Sequence, residues 1–305
     1  MSQARRRAAA AGVGVVLDRL LGEPGMRPHP VAAFGLVMAQ LERPIYLDDR
    51  LQGALYLGAG LGTGLMAGGM VGSTTAGTYL AVAGRALVDE ARAIGVLLEA
   101  DDLPGARAAL PALVGRDPSG LEPEEVARAV VESVAENTVD AVVAPALWGA
   151  VAGASGALGH RAVNTLDSMI GHHNDRYERF GWASARADDL AAWVPARITA
   201  GLVALVRPAT ASAVLHTVRR DAPAHPSPCA GVAEAAFAAA LGLRLGGPSR
   251  YGDRVEDRPA LGDGAPPVAA DIERACRLLE DVSLALAGLL VGPLALRALR
   301  RIVGR

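Results

Sequence analysis

Residues 51–84 run for 34 positions without a charged side chain. That exceeds the ~20 residues an α-helix needs to cross a hydrocarbon core of ~30 Å, so a bilayer is the solvent the run suits. It holds ten glycines, and Gly72, Ser73, Thr74 and Thr75 make a break, so it reads as one tilted span or two short ones. Composition agrees, because 51% of residues are hydrophobic while only 4% are aromatic, with Ala and Gly supplying much of the apolarity. Small residues let helices approach closely where lipid removes the hydrophobic drive between them. The expected fold class is therefore all-α, a multi-pass helical integral membrane protein. Further candidate spans are 141–159, 190–206 (interrupted by Arg197) and 282–296, which at 15 residues is short. About four crossings are expected.

The N-terminal stretch MSQARRRAAAAGVGVVLDRL imitates a signal peptide, but its apolar part ends at Asp18 without a polar cleavage region. It is read as an entering or interfacial helix, and its three arginines favour a cytoplasmic N-terminus. Residues 85–131 alternate Ala, Leu and Val with Arg, Asp and Glu at helical spacing, which predicts soluble amphipathic helices. Ser119 with Glu122 three residues later makes a capping-box pattern. The Pro- and Gly-rich stretch 207–281 predicts an ordered loop region with short helices. No alternation there supports a sheet, and no solenoid period is visible, so residues 1–305 are read as a single membrane domain.

Several function classes drop out. A formal charge of −2 gives no basic surface for nucleic acid. Every one of the 30 basic residues is Arg, which excludes a Walker lysine and leaves Arg, His or a metal to hold phosphate. Cys229 and Cys276 have neither disulfide-framework nor zinc spacing and read as structural thiols.

The chemistry concentrates in residues 132–189, where ionisable groups border apolar sequence at a cost that marks a functional site. In ESVAENTVDAVVAP (132–145), Glu132, Glu136 and Asp140 recur every four residues, within about 80° on a helix, with Asn137 beside Asp140. Three carboxylates on one face repel unless a cation neutralises them, and hard oxygen ligands suit Mg²⁺ carrying substrate phosphates. A solvated acidic face is the competing reading. Asn164, Asp167 and Ser168 share a face and are placed for further metal or phosphate contacts. Past Gly171, read as a helix end, come His172, His173, Asn174, Asp175, Arg176 and Tyr177. The adjacent histidines make a weak zinc site, whereas Arg176, Arg179 and Arg186 are read as a phosphate clamp or as ordinary loop charges. Asp189, Trp193 and Arg197 step along one side of the next helix, with a structural ion pair as the alternative. RRDAPAHPSP (219–228) sets Arg219, Arg220, Asp221, His225 and Ser227 on a Pro-stiffened loop, where His225 would assist proton transfer. These residues alone point to a membrane enzyme that handles a magnesium-complexed phosphate substrate.

The chain resembles the adenosylcobinamide-phosphate synthase family (CobD/CbiB) of cobalamin biosynthesis. The resemblance is carried in order by DRLLGEPGMRPHPVAAFG (18–35), ESVAENTVDAVVAP, NTLDSMIGHHNDRYERFGWASARADDL (164–190), WVPAR (193–197), RDAPAHPSP (220–228), EAAFAAALGLRLGG (234–247), Tyr251-Gly252 and Arg258-Pro259. It implies ATP-dependent amide formation between adenosylcobyric acid and (R)-1-amino-2-propanol or its O-phosphate, with ATP and Mg²⁺. It also implies a cytoplasmic-membrane location with the active site on the cytoplasmic side, and partnership with other late cobamide-assembly enzymes. Carried onto this sequence, the catalytic set is Glu136, Asp140, Asp167 and His225, and the metal set is Glu132, Glu136 and Asp140. The substrate- and phosphate-binding set is His29, Asn137, Asn164, Ser168, Asn174, Arg176, Arg186, Asp189, Arg197 and Arg220. Departures from the family pattern are His172-His173 for Tyr-Lys, Cys229 for Asn, Val232-Ala233 for Trp-Pro, and Ala141 for Gly. Rival readings are a membrane phosphotransferase or prenyltransferase that uses Mg²⁺, and a catalytically degenerate scaffold. If 141–159 crossed the bilayer fully, Glu136 and Asn164 would lie on opposite sides. Pro145 and the glycines at 149, 153, 156 and 159 instead favour a broken or re-entrant segment.

Overall fold

The computed structural model describes residues 2–26, 29–115, 117–171, 174–251 and 254–303. The helices are α1 (Gln3–Leu21), α2 (Pro30–Ile45), α3 (Arg50–Val71), α4 (Thr74–Ala81), α5 (Gly84–Glu99), α6 (Leu103–Ala109), α7 (Pro123–Thr138), α8 (Ala144–Ile170), α9 (Trp182–Val206), α10 (Ala211–Asp221) and α11 (Ala230–Leu241). Strands β1 (Leu245–Tyr251) and β2 (Arg254–Leu261) follow, then α12 (Ala269–Val303). The architecture is helical, and Arg50–Val71, Pro123–Ile170 and Trp182–Val206 are long and apolar enough to cross a membrane. The chain forms two compact units, each built from separated segments.

The first unit comprises Met1–Ala83, Asp140–Val194 and Leu286–Arg305. Here α3 packs along α8 through glycines. The side of α3 carrying Gly60, Gly64 and Gly68 is buried, and a Cβ added at these positions would strike Leu166, Ala162 and Ser155 in turn. Absence of side chains is what lets the two backbones approach, the expected basis of helix association in lipid. The outward face of α3 carries Leu55, Met66 and Met70, each more than half exposed. The run 141–159 is not a straight crossing, because α8 breaks at Gly153, whose φ of 73° and ψ of −155° only glycine adopts without strain. Gly156 then lies against the Trp148 carbonyl, and a Cβ built on Gly149 would lie 3.5 Å from the Ala157 Cβ. Residues eight apart in a straight helix are separated by ~12 Å, so the two arms run side by side as a hairpin. This agrees with the broken-segment expectation. At the far end of α3, Phe180 stacks between Tyr46 and Tyr56 with centroids 5.2 Å away in both cases, within a buried cluster that includes Met38, Leu166 and Ile170.

The second unit comprises Gly84–Val139 and Pro195–Ala285. Helix α5 buries Leu87, Val88, Ala91, Ile94 and Leu98, the spacing of an amphipathic helix, and turns Arg92 outward to Glu273 (2.7 Å) and Glu280 (3.1 Å) of α12. The N-cap of α7 is Glu122, not Ser119, and its backbone N–H donates to the Glu125 carboxylate at 2.8 Å. Pro123 fits the first helical position, where its missing N–H costs nothing, and so sets the start. Stretch 207–281 is more ordered than its composition predicts. It contains α10, α11, the start of α12 and an antiparallel β1–β2 pair. The sheet escaped sequence reading because LGGPSRY and RVEDRPAL have little β propensity, so cross-strand pairing rather than local preference makes the strands. The short apolar run 282–296 falls inside the 35-residue α12.

Candidate functional site

The second unit holds a buried polar centre built by α7, the loop before α11, α11 itself and the β pair. Glu132 on α7 is almost fully buried and accepts a hydrogen bond from the Gly246 N–H at 2.9 Å. Arg128, one turn earlier, lies 3.9 Å from Glu132 and donates to the Gly246 carbonyl at 2.6 Å. A β-bulge between Leu245 and Gly247 makes this possible, since Gly246 at φ 83° turns both its amide and its carbonyl toward α7. Beside them a polar cleft of about 110 Å³ is lined by Glu132, Ser133, Glu136 and Arg258, with Leu113, Val114 and Gly115. Ser133 donates to the Leu113 carbonyl at 3.0 Å, and Asn137 donates to the Ser133 carbonyl at 3.0 Å, which fixes Asn137 one turn along α7.

His225 is buried in the same unit, with Nε2 3.8 Å from Glu234, itself fully buried, and Nδ1 3.1 Å from the Ser227 amide nitrogen. Burial pushes its pKa below the ordinary 6.5, and both Arg258 and Glu132 act on the ring. The imidazole is therefore neutral at pH 7 and able to accept a proton. Arg220 forms charge-assisted hydrogen bonds with Asp221 (2.5 Å) and Asp263 (2.8 Å), while Asp221 also accepts from the Gly262 N–H. That network ties α10 to the loop after β2 and holds the Asp221 carboxyl below its usual range. Arg197, on α9, is half-buried.

The first unit holds a separate polar centre around Arg161 on α8. Arg161 lies within electrostatic reach of the carboxylates of Asp140, Glu23, Asp188 and Asp18, and one guanidinium nitrogen reaches the Asn164 side-chain oxygen at 3.5 Å. Asp18, Asn164 and Asp188 are all buried. The hairpin at Gly153 brings Asp140 on its first arm back toward Arg161 on its second. Ser168 donates to the Asn164 carbonyl, and Asp167 lies where α8 ends at Gly171, the helix end expected from sequence. Asp189 is half-buried, with Arg186 acting on it, and Trp193 is half-exposed on the same helix.

Other predicted residues are occupied structurally. Arg176 pairs with Glu42 at 2.9 Å and stacks over Tyr46 at 4.2 Å, and Arg179 lies 4.0 Å from Asp49. Asn174 accepts from the amides of Arg176 and Tyr177, closing the turn after α8. His29 caps α2 through Val31. His172, His173 and Gly252 lie outside the described residues.

The predicted metal set divides between the two units, with Glu132 and Glu136 in the second and Asp140 in the first. Asp140 falls in a π-turn, Val139–Val143, directly after α7. Glu132 has committed its carboxylate to Gly246 and Arg128, and among the described residues no three His, Cys, Asp or Glu side chains converge as a metal cage. Sequence reading also passed over Arg128, Arg161, Asp188, Glu234 and Arg258 as site residues. Of these, Asp188, Glu234 and Arg258 stand inside motif blocks, whereas Arg128 and Arg161 carried no separate signal.

Comparison with known proteins follows the same residues. A family model described as CobD/Cbib protein matches residues 11–279. The chain belongs to the CobD/CbiB family. A cobalamin biosynthesis protein CobD from Mycobacterium tuberculosis is 47% identical over 298 residues, covering 93% of this chain and 95% of the relative. The CobD of Rhodobacter capsulatus is 44% identical over 89% of this chain and 92% of its own length, and that of Klebsiella pneumoniae 37% over 92% and 95%. No solved structure matches. Both polar centres lie within the stretch that defines this CobD/CbiB chain.

Proposed function

We propose that this protein joins adenosylcobyric acid to (R)-1-amino-2-propanol or its O-phosphate in an ATP-dependent amide ligation of cobalamin biosynthesis. The family match over residues 11–279, which encloses the polar cleft, carries this reading. A carboxylate is a poor electrophile, so the corrin carboxylate first attacks the γ-phosphorus of ATP, releasing ADP and forming an acyl phosphate. The free amine then attacks the carbonyl carbon, the C–O bond to phosphate breaks, and inorganic phosphate leaves. Arg258 on the cleft suits phosphoryl oxygens, and Glu136 beside it suits the proton lost from the attacking amine. His225, neutral and buried against Glu234, is the positioning residue behind them. Magnesium bound to the nucleotide would neutralise its phosphates, leaving Arg258 to meet the remaining charge. Because ATP is cytoplasmic, we place the chemistry on the cytoplasmic side of the cell membrane, in reach of the enzymes that make and consume corrinoids.

The test uses purified protein in nanodiscs with adenosylcobyric acid, Mg-ATP and each amine, the corrinoid product being analysed by mass spectrometry. ATP-dependent gain of the amide is expected, and comparison of the two amines gives the preferred form. Absence of product with both amines, from folded protein that binds corrinoid, would overturn the ligase reading.

A further inference from the structure

A second, larger cleft of about 460 Å³ lies in the first unit around the tip of the α8 hairpin. It falls within the ~300–1,000 Å³ typical of ligand sites. Its polar wall is made by Gln3, Arg6 and Arg7 of α1 and by Ser73, Thr74 and Thr75 at the start of α4, and among the described residues no acidic side chain lines it. Arg7 is held in place by donating to the Val151 carbonyl at 3.2 Å. Arg6 is exposed and, among the described residues, has no ion pair. The cleft also sits at a defined depth. Helix α3 has 22 residues, ~33 Å at 1.5 Å each, and its end at Val71 adjoins the cleft, so a bilayer crossed by α3 would put the arginines at headgroup level. Directly beside them the outward side chains are apolar, with Met66, Met70 and Val151 exposed by 70%, 82% and 68%. Fixed positive charge above an apolar flank matches one class of ligand in both parts.

We propose that this cleft binds the phosphate headgroup of an anionic membrane phospholipid, its acyl chains lying along the exposed face of α3. The phosphodiester meets Arg6 and Arg7, and the Ser73 and Thr74 side chains border the headgroup. Native mass spectrometry of the full chain, extracted in detergent and exposed to equal phosphatidylglycerol and phosphatidylcholine, tests it. Two arginines near the surface predict about thirtyfold preferential retention of one phosphatidylglycerol. Arg6→Gln should reduce this to about fivefold, and Arg6→Gln with Arg7→Gln should abolish it. Arg219→Gln, an exposed arginine of the other unit, should leave it unchanged. Because Arg6 is exposed, its single variant tests the proposal even if the double variant folds poorly. Equal retention of the two lipids by the wild type, or a preference unchanged by Arg6→Gln, would overturn the proposal. Displacement of the lipid by millimolar glycerol 3-phosphate would overturn it in favour of a soluble phosphate ligand.

Discussion

At the residue scale, Glu132 and Glu136 separate scaffold from chemistry although they sit one turn apart. Glu132 is buried and holds a strand amide and an arginine, so Glu132→Ala strands both partners and should cost about 3 kcal/mol of stability. Glu136→Gln should leave the melting temperature near wild type and lower amide formation by at least ~100-fold, the scale of a lost general base. A melt and a single-turnover assay on both variants check this, and the opposite pattern would exchange the two roles. His225 sets a pH dependence. Its folded pKa lies below 6.5, so as pH falls through 6.5 the unfolded chain takes up a proton that the folded one refuses. Stability therefore declines below about pH 6.5. Asp221 and Glu273, whose folded pKa values are depressed mainly by Arg220 and Arg92, act further down, since their stabilisation is complete above the unfolded carboxylate range and is lost below it. Melting curves between pH 7.5 and 5 should show the first decline, and His225→Asn should remove it.

At the element scale, the hairpin of α8 depends on one backbone conformation. Gly153→Ala forces an alanine to φ 73° and ψ −155°, at a cost of about 1–3 kcal/mol, or more if the arms separate. Cysteines introduced at Gly149 and Ala157, whose Cβ atoms would lie 3.5 Å apart, together with Thr78→Ala to clear the hydroxyl 2.5 Å from the added Cβ, should crosslink and do so much less with Gly153→Ala. Failure to crosslink in either background would argue for a straight α8. Pro and Gly in this segment signalled a break, but only the approach of Gly156 to Trp148 shows a reversal. The β pair has the converse history. Its sequence gives no strand signal, yet its glycine bulge supplies the amide and carbonyl that hold Glu132 and Arg128.

At the scale of the whole molecule, three apolar helical stretches long enough to cross a membrane and a face of exposed Leu and Met suit lipid contact. The protein should stay with the membrane fraction through alkaline carbonate washing and leave it only with detergent. Recovery in the carbonate supernatant would contradict the spanning helices. The two compact units each carry a polar centre, so Asp140→Asn in one and Glu136→Gln in the other are separate tests of function.

Class, family and most of the helices were legible in the sequence, because apolar length and helical periodicity are local properties. The ordered motif blocks also marked Glu136, Asn164 and His225. What tertiary structure alone decided is which charged groups meet. Arg161 looks like any arginine in a helix until a hairpin turn brings Asp140 to it, and Glu234 like a surface acid until burial sets it against His225. The acidic face of Glu132, Glu136 and Asp140 was an inference from an ideal α-helix. A buried strand amide claimed Glu132, because satisfying buried polar groups outweighs sequence spacing when a core closes.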